Sequence, residues 1–158
     1  MKRNALIHLA LALLWTFSGE PTPGRFLAGL LLGLFVLWAI GRFWGAGAYV
    51  RRALGFLRFL LVFARELVLS NLAVARTILF VPKEAIDPDF VRYDLSGLRP
   101  LEALILSHCV TLTPGTTSVE ISPDYHTLIF HALDASDPEG VCRGIDETLK
   151  PAILAFTR

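Results

Sequence analysis

Val110-Thr111-Leu112-Thr113-Pro114-Gly115-Thr116 lies in the middle of the C-terminal half of the chain, and its reading decides how that half folds. Pro114-Gly115 is a strong turn signal, because proline pre-sets φ at one central turn position and glycine accepts positive φ at the next. Upstream, Leu101–Val110 is an apolar run of helical character. Downstream, Thr117–Ile121 and His126–Leu133 alternate polar and apolar residues as two strands do, around the hairpin turn Ser122-Pro123-Asp124-Tyr125. Thr111-Leu112-Thr113 alternates as well and reads as a half-buried strand. The heptapeptide is thus where a helix hands over to a β-hairpin.

Working outward, Phe90–Leu95 alternates like a strand, and Ser96 is placed to cap a helix containing Leu98 and Leu101–Cys109. Asp137-Pro138-Glu139 opens a last helix, with Asp as cap and Pro at the first position, running through Val141, Ile145, Leu149, Ile153 and Leu154. The order β-α-β-β-α over 86–158 predicts a small α+β domain of ferredoxin-like type, a three-stranded sheet with two helices on one face. At roughly 70 residues it is small for an independent core, so it is expected to dock onto the membrane half or onto partners.

The N-terminal half has a different solvent. A mean hydropathy of +0.56 with 18% charged residues is too apolar for an ordinary soluble domain, and the charge-poor sequence lies before Val81. After the basic start Lys2-Arg3 come two apolar runs, Ala5–Phe17 and Phe26–Gly41, joined by a Pro/Gly-rich turn. The second run follows the first at once, which favours a transmembrane helical hairpin over 1–48 against a cleaved leader. Each run is shorter than the roughly 20 residues a bilayer core needs. Flanking residues therefore extend both helices, with Lys2, Arg3, Arg25 and Arg42 snorkelling and Trp15, Trp38 and Trp44 near the interfaces. Gly29 and Gly33 give a GxxxG spacing that lets a neighbouring helix approach. Basic residues flank the hairpin on both sides and are sparse in its turn, which places both ends in the cytoplasm.

Residues 49–82 form the third apolar stretch. Arg58, Arg65, Glu66, Asn71 and Arg76 interrupt it, so no 18-residue window is free of charge. On a helical projection Arg51, Arg52, Arg58, Arg65, Glu66, Ser70, Arg76 and Thr77 fall within roughly a third of a turn. Such a helix suits a membrane interface, its apolar face in the headgroup boundary and its arginines on anionic lipid. The competing reading is a third spanning helix whose arginines pack against partner subunits. On either reading Arg58, Arg65, Glu66 and Arg76 are the candidate partner or lipid contacts.

The heptapeptide, together with Phe130-His131-Ala132-Leu133-Asp134 and the preceding order of two short hydrophobic helices and an Arg-containing apolar helix, resembles the E-type subunit of the multisubunit Na+/H+ antiporters, the Mrp or Mnh cation/proton antiporter family. The likeness covers nearly the whole chain and departs at Ser107-His108-Cys109, where the family usually carries Ala-Asn and a small or polar residue. It implies an accessory, non-catalytic subunit that supports assembly of a cation/proton antiporter in the cell (inner) membrane, multi-pass, with a cytoplasmic C-terminal domain. It implies other subunits and lipid as partners, and no cofactor. Thr111, Leu112, Thr113, Pro114, Gly115, Thr116 and His131 are the motif residues carried over. The alternative is a free-standing membrane-tethered binding or sensory module.

Other chemistry finds little support. A net charge of +1 without aromatic-rich basic loops gives no nucleic-acid signal. His108, His126, His131, Cys109 and Cys142 fit no zinc spacing, and Cys109 lacks an oxyanion pocket. The two cysteines read as isolated thiols. His8, in the first helix, is either a proton relay or a histidine facing a neighbouring helix.

Overall fold

The computed structural model describes residues 2–158, the side chains of Arg42, Phe43 and Trp44 excepted, so the interfacial roles expected of Arg42 and Trp44 lie outside the described residues. The chain divides into two compact units, residues 1–55 and 56–158. Helix α3 (Gly47–Phe80) runs across that division.

The first unit contains α1 (Lys2–Phe17), α2 (Pro23–Trp44) and the first turns of α3. Thr22 caps α2 by accepting from the Arg25 N–H at 3.2 Å, and Pro23 occupies its first position. Among the described residues one helix is long and apolar enough to cross a membrane, at Pro23–Gly41, 19 residues with mean hydropathy 1.9. Helix α1 has 16 residues, about 24 Å of axial rise. The GxxxG spacing on α2 is used within the chain. A Cβ at Gly29 would lie 2.7 Å from the Ala12 carbonyl oxygen, and one at Gly33 2.8 Å from His8 Cδ2. The two glycines therefore let α1 lie directly against α2.

The second unit contains the rest of α3, β1 (Asp89–Asp94), α4 (Pro100–Leu112), β2 (Thr116–Ile121), β3 (Thr127–Ala132), α5 (Pro138–Glu147) and α6 (Leu149–Thr157). The sheet order is β1-β3-β2, antiparallel throughout, with Val91 opposite Phe130 and Thr117 opposite His131. Val91, Tyr93, Leu128 and Phe130 point into the core with Ala103, Leu106 and Val110 of α4 and Leu149 and Ile153 of α6. Phe90, Arg92, Ile129 and His131 alternate onto the other face, as a period of two requires.

Three local expectations are corrected. Thr111-Leu112-Thr113 is not a strand: α4 continues through Leu112 and Thr113 is its C-cap. Ser96 does not cap α4. Its N–H donates to Asp94 at 2.8 Å, while Glu102 reaches back to the Arg99 N–H at 2.8 Å to start the helix at Pro100. The last helix is two helices meeting at Thr148, because Pro151 has no N–H to extend α5 and is tolerated only in the first turn of a new helix.

Glu102 closes the fold. Its side chain is 1% exposed and accepts from Arg158 Nη2 at 2.9 Å and Thr157 Oγ1 at 2.8 Å, tying the chain's last residues to α4. Hydrogen bonds from Arg158, then from the Arg99 backbone and Thr157, hold its carboxyl down at about 2. A folded pKa below the unfolded one contributes stability that is complete above the unfolded value and is lost as pH falls through the folded one. An acid titration of the full chain in detergent, followed by near-UV circular dichroism, is therefore expected to show stability falling between about 4.5 and about 2. Glu102→Gln should flatten that dependence, and Glu102→Ala should cost about 3 kcal/mol at neutral pH.

Candidate functional site

The Thr111–Thr116 segment solves a specific problem at the end of α4. The last carbonyls of a helix have no intrahelical partner and, when buried, must find one. Here the Thr113 N–H donates to the Cys109 and Val110 carbonyls at 3.0 and 3.3 Å, and threonine hydroxyls add further bonds. Thr111 Oγ1 donates to the Ser107 carbonyl at 3.1 Å and accepts the Ser118 N–H at 3.1 Å. Thr113 Oγ1 donates to the Cys109 carbonyl at 2.8 Å, and Thr116 Oγ1 to the Val110 carbonyl at 2.7 Å. Ser118 adds a second bond to the Ser107 carbonyl at 2.8 Å. The side chains thereby knit the end of α4 to the start of β2. Leu112 stands exposed.

Gly115 has φ +91°, a conformation that a side chain disfavours, and a Cβ there would lie 3.0 Å from Val74 Cγ2 of α3. Its carbonyl accepts the Leu133 N–H at 2.7 Å, which joins the turn to the segment after β3. His131 is not brought to the turn. It sits on the opposite sheet face, edge-on to Phe90 at 5.4 Å between ring centroids. The two motif segments thus meet through backbone, and the Thr side chains do the capping.

Helix α3 covers the other side of this junction. Phe59 is in the core, 5.1 Å from the Phe156 ring, with Val62 and Phe63 packed beside it. Glu66 lines a cavity of about 160 Å³ together with Thr113, Thr116, Val141 and Thr148, and its carboxylate is held by Arg65 at 2.6 Å. Phe59, Val62, Glu66, Ser70, Val74 and Thr77 are buried or half-buried and form one stripe. Leu57, Leu61, Val68, Leu72 and Leu79 form the opposite stripe and are exposed. Arg58, Arg65 and Arg76 are exposed and run along one border between the two. The projection alone does not reveal that the domain takes the Glu66–Ser70–Thr77 side of the polar sector, since half of that stripe is polar.

Elsewhere, His8 is held at both nitrogens. Nε2 lies 2.7 Å from the Leu30 carbonyl oxygen, and Nδ1 lies 2.6 Å from the Tyr49 hydroxyl. These contacts brace α1 against α2 and the start of α3. Cys109 and Cys142 are free thiols, and burial pushes Cys109 up to about 11. No metal-binding cluster exists among the described residues.

The model of the MNHE family, described as a Na+/H+ ion antiporter subunit, matches residues 8–155. The chain belongs to that family. It is 32% identical over 159 residues to the E-type Na(+)/H(+) antiporter subunit of Alkalihalophilus pseudofirmus, covering 100% of both chains. The figures are the same for the corresponding subunit of Bacillus subtilis. In fold, it superposes with TM-score 0.55 on a chain of the membrane-bound sulfane sulfur reductase, an archaeal respiratory membrane complex, at 20% identity, covering 96% of this chain and 99% of that one. This MNHE-family chain is thus a component of an Mrp/Mnh-type Na+/H+ antiporter complex.

Gly115→Ala should lower the unfolding free energy of the MNHE chain by about 2 kcal/mol, from a positive-φ position already in contact with Val74. Gly144→Ala, where a Cβ meets nothing within 4 Å, should be neutral or slightly stabilising. Denaturant melts of the two variants in detergent make the comparison.

Proposed function

We propose that this subunit is an accessory, non-catalytic member of the antiporter that supports its assembly and stability. The observation carrying this is how the titratable groups are used. His8 is saturated by Leu30 and Tyr49, and α2, the one helix of spanning length among the described residues, contains no acid or lysine within Pro23–Gly41. An ion-coupled proton path needs a chain of such groups.

In this reading residues 1–48 are a transmembrane hairpin, with α1 completing its crossing by snorkelling residues, and 86–158 are a cytoplasmic domain. The β1-β3-β2 order supports taking that domain as ferredoxin-like, with a last strand missing and α6 in its place. Residues 49–82 lie along the cytoplasmic membrane surface. The contacts of α3 with the domain extend from Phe59 to Val74, about 22 Å of helix. A spanning α3 would drag a charged sheet and three helices through most of a hydrocarbon core about 30 Å thick. A surface helix instead buries its Leu57–Leu61–Val68–Leu72 stripe in the headgroup boundary and sets Arg58, Arg65 and Arg76 among anionic lipids, with the domain on its back.

Deleting 86–158 strips the cover from α3 and is expected to abolish antiport in inverted vesicles, with the other subunits no longer co-purifying in mild detergent. A fully assembled, active complex without these residues contradicts the proposal. A monodisperse small oligomer of the intact chain, free of large membrane subunits, would favour the sensory-module reading.

A further inference from the structure

We propose that the α1–α2 pair holds one anionic phospholipid, its phosphate on Arg25 and one acyl chain in the groove beside Trp15. The inference rests on α1 and α2 being membrane helices and otherwise goes beyond the assembly role.

The groove has a volume of about 360 Å³ and is lined by Leu11, Leu14, Trp15 and Ser18 of the first helix and its C-terminal end, and by Leu32 and Val36 of the second. Its walls are aliphatic apart from the Ser18 end. At that end stands Arg25. Its Cζ lies 6.0 Å from the Trp15 ring centroid, and Nη2 donates to Ser18 Oγ at 3.1 Å. Ser18 Oγ in turn donates to the Trp15 carbonyl at 2.8 Å, so the serine and the guanidinium are fixed on the residue that also walls the groove. Gly19 leaves the space: any Cβ there would collide with the guanidinium.

This placement leaves the guanidinium under-used. Arg25 Nε is the one buried side-chain nitrogen or oxygen without a hydrogen-bond partner among the described residues. No carboxylate is within ion-pair distance of Arg25 among them. A guanidinium has five N–H donors in a fork matched to phosphate oxygens, and here a single one is engaged within the chain. An apolar groove ending at an under-used guanidinium has the chemistry of one anionic amphiphile, with an acyl chain along the helices and a phosphodiester at the polar end. The Trp15 indole, between the two, suits the depth at which aromatic rings collect in bilayers.

Trp15 is also the reporter. With Trp38 and Trp44 replaced by Phe, Trp15 is the sole tryptophan of the full chain, which is reconstituted into phosphatidylcholine vesicles containing chain-brominated lipid. Brominated phosphatidylglycerol is expected to quench Trp15 half-maximally at about a fivefold lower mole fraction than brominated phosphatidylcholine, the discrimination one interfacial arginine supplies. Arg25→Gln should bring the two lipids together and Arg25→Lys should keep part of the gap. Val36→Phe, which fills the groove and leaves Arg25 in place, should reduce quenching by the glycerol lipid. Equal quenching by both lipids in the parent chain overturns the proposal. So does a preference that survives Arg25→Gln with the Trp15 emission maximum unchanged, or quenching undiminished in Val36→Phe. Assembly of the antiporter, followed separately by co-purification of its other subunits, reports on the accessory role and not on this site.

Discussion

The burial of one stripe of α3 is the contact on which the rest of the molecule depends. Phe59, Val62 and Phe63 sit against the core made by α4, α6 and the sheet, and Val74 closes on Gly115 about four turns later. Phe59 is buried and Val62 and Phe63 are half-buried; fully burying one large apolar side chain contributes about 1.5–3 kcal/mol, so Phe59 is the main anchor of the seam. It also decides the orientation of α3. With one side covered by protein, the opposite stripe of leucines is exposed.

The threonines of the Thr111–Thr116 segment serve the same seam from below. The hydroxyls of Thr111, Thr113 and Thr116 bond the carbonyls of Ser107, Cys109 and Val110 at the end of α4, in addition to the backbone bonds there, while Gly115 turns the chain. Those hydroxyls tie α4 to β2, and Gly115 sets the distance to α3, so the motif links α3 to the small folded domain.

Much of this was legible in the residues. The turn at Pro114-Gly115, the hairpin after it, the Asp137 cap and the one-sided character of residues 49–82 all follow from local chemistry, and each appears in the fold. The errors have local causes as well. Thr111-Leu112-Thr113 alternates like a strand, yet threonines that bond back to carbonyls four residues earlier can close a helix equally well, and only the position of Ser118 decides between the two. The α5–α6 break rests on a single missing N–H at Pro151. What could not be read was tertiary. The helix that packs on Gly29 and Gly33 is α1, and His8 faces Leu30 and Tyr49. His131 turns away from the motif it accompanies. None of these follows from spacing, because each depends on which helix or strand arrives at that face.

The depth of α3 in the bilayer tests the surface-helix placement most directly. Nitroxide labels at single cysteines replacing Leu57, Arg58, Leu61, Arg65, Val68, Leu72, Arg76 and Leu79, in a chain with Cys109 and Cys142 changed to Ser, report depth by power saturation against oxygen and a water-soluble nickel chelate. In reconstituted vesicles a surface helix predicts depth that oscillates with the helical period, the leucine and valine positions deep and the three arginine positions shallow, at a constant mean along the helix. A depth that changes steadily from Leu57 to Leu79, passing through the bilayer centre, would show a spanning helix and contradict it.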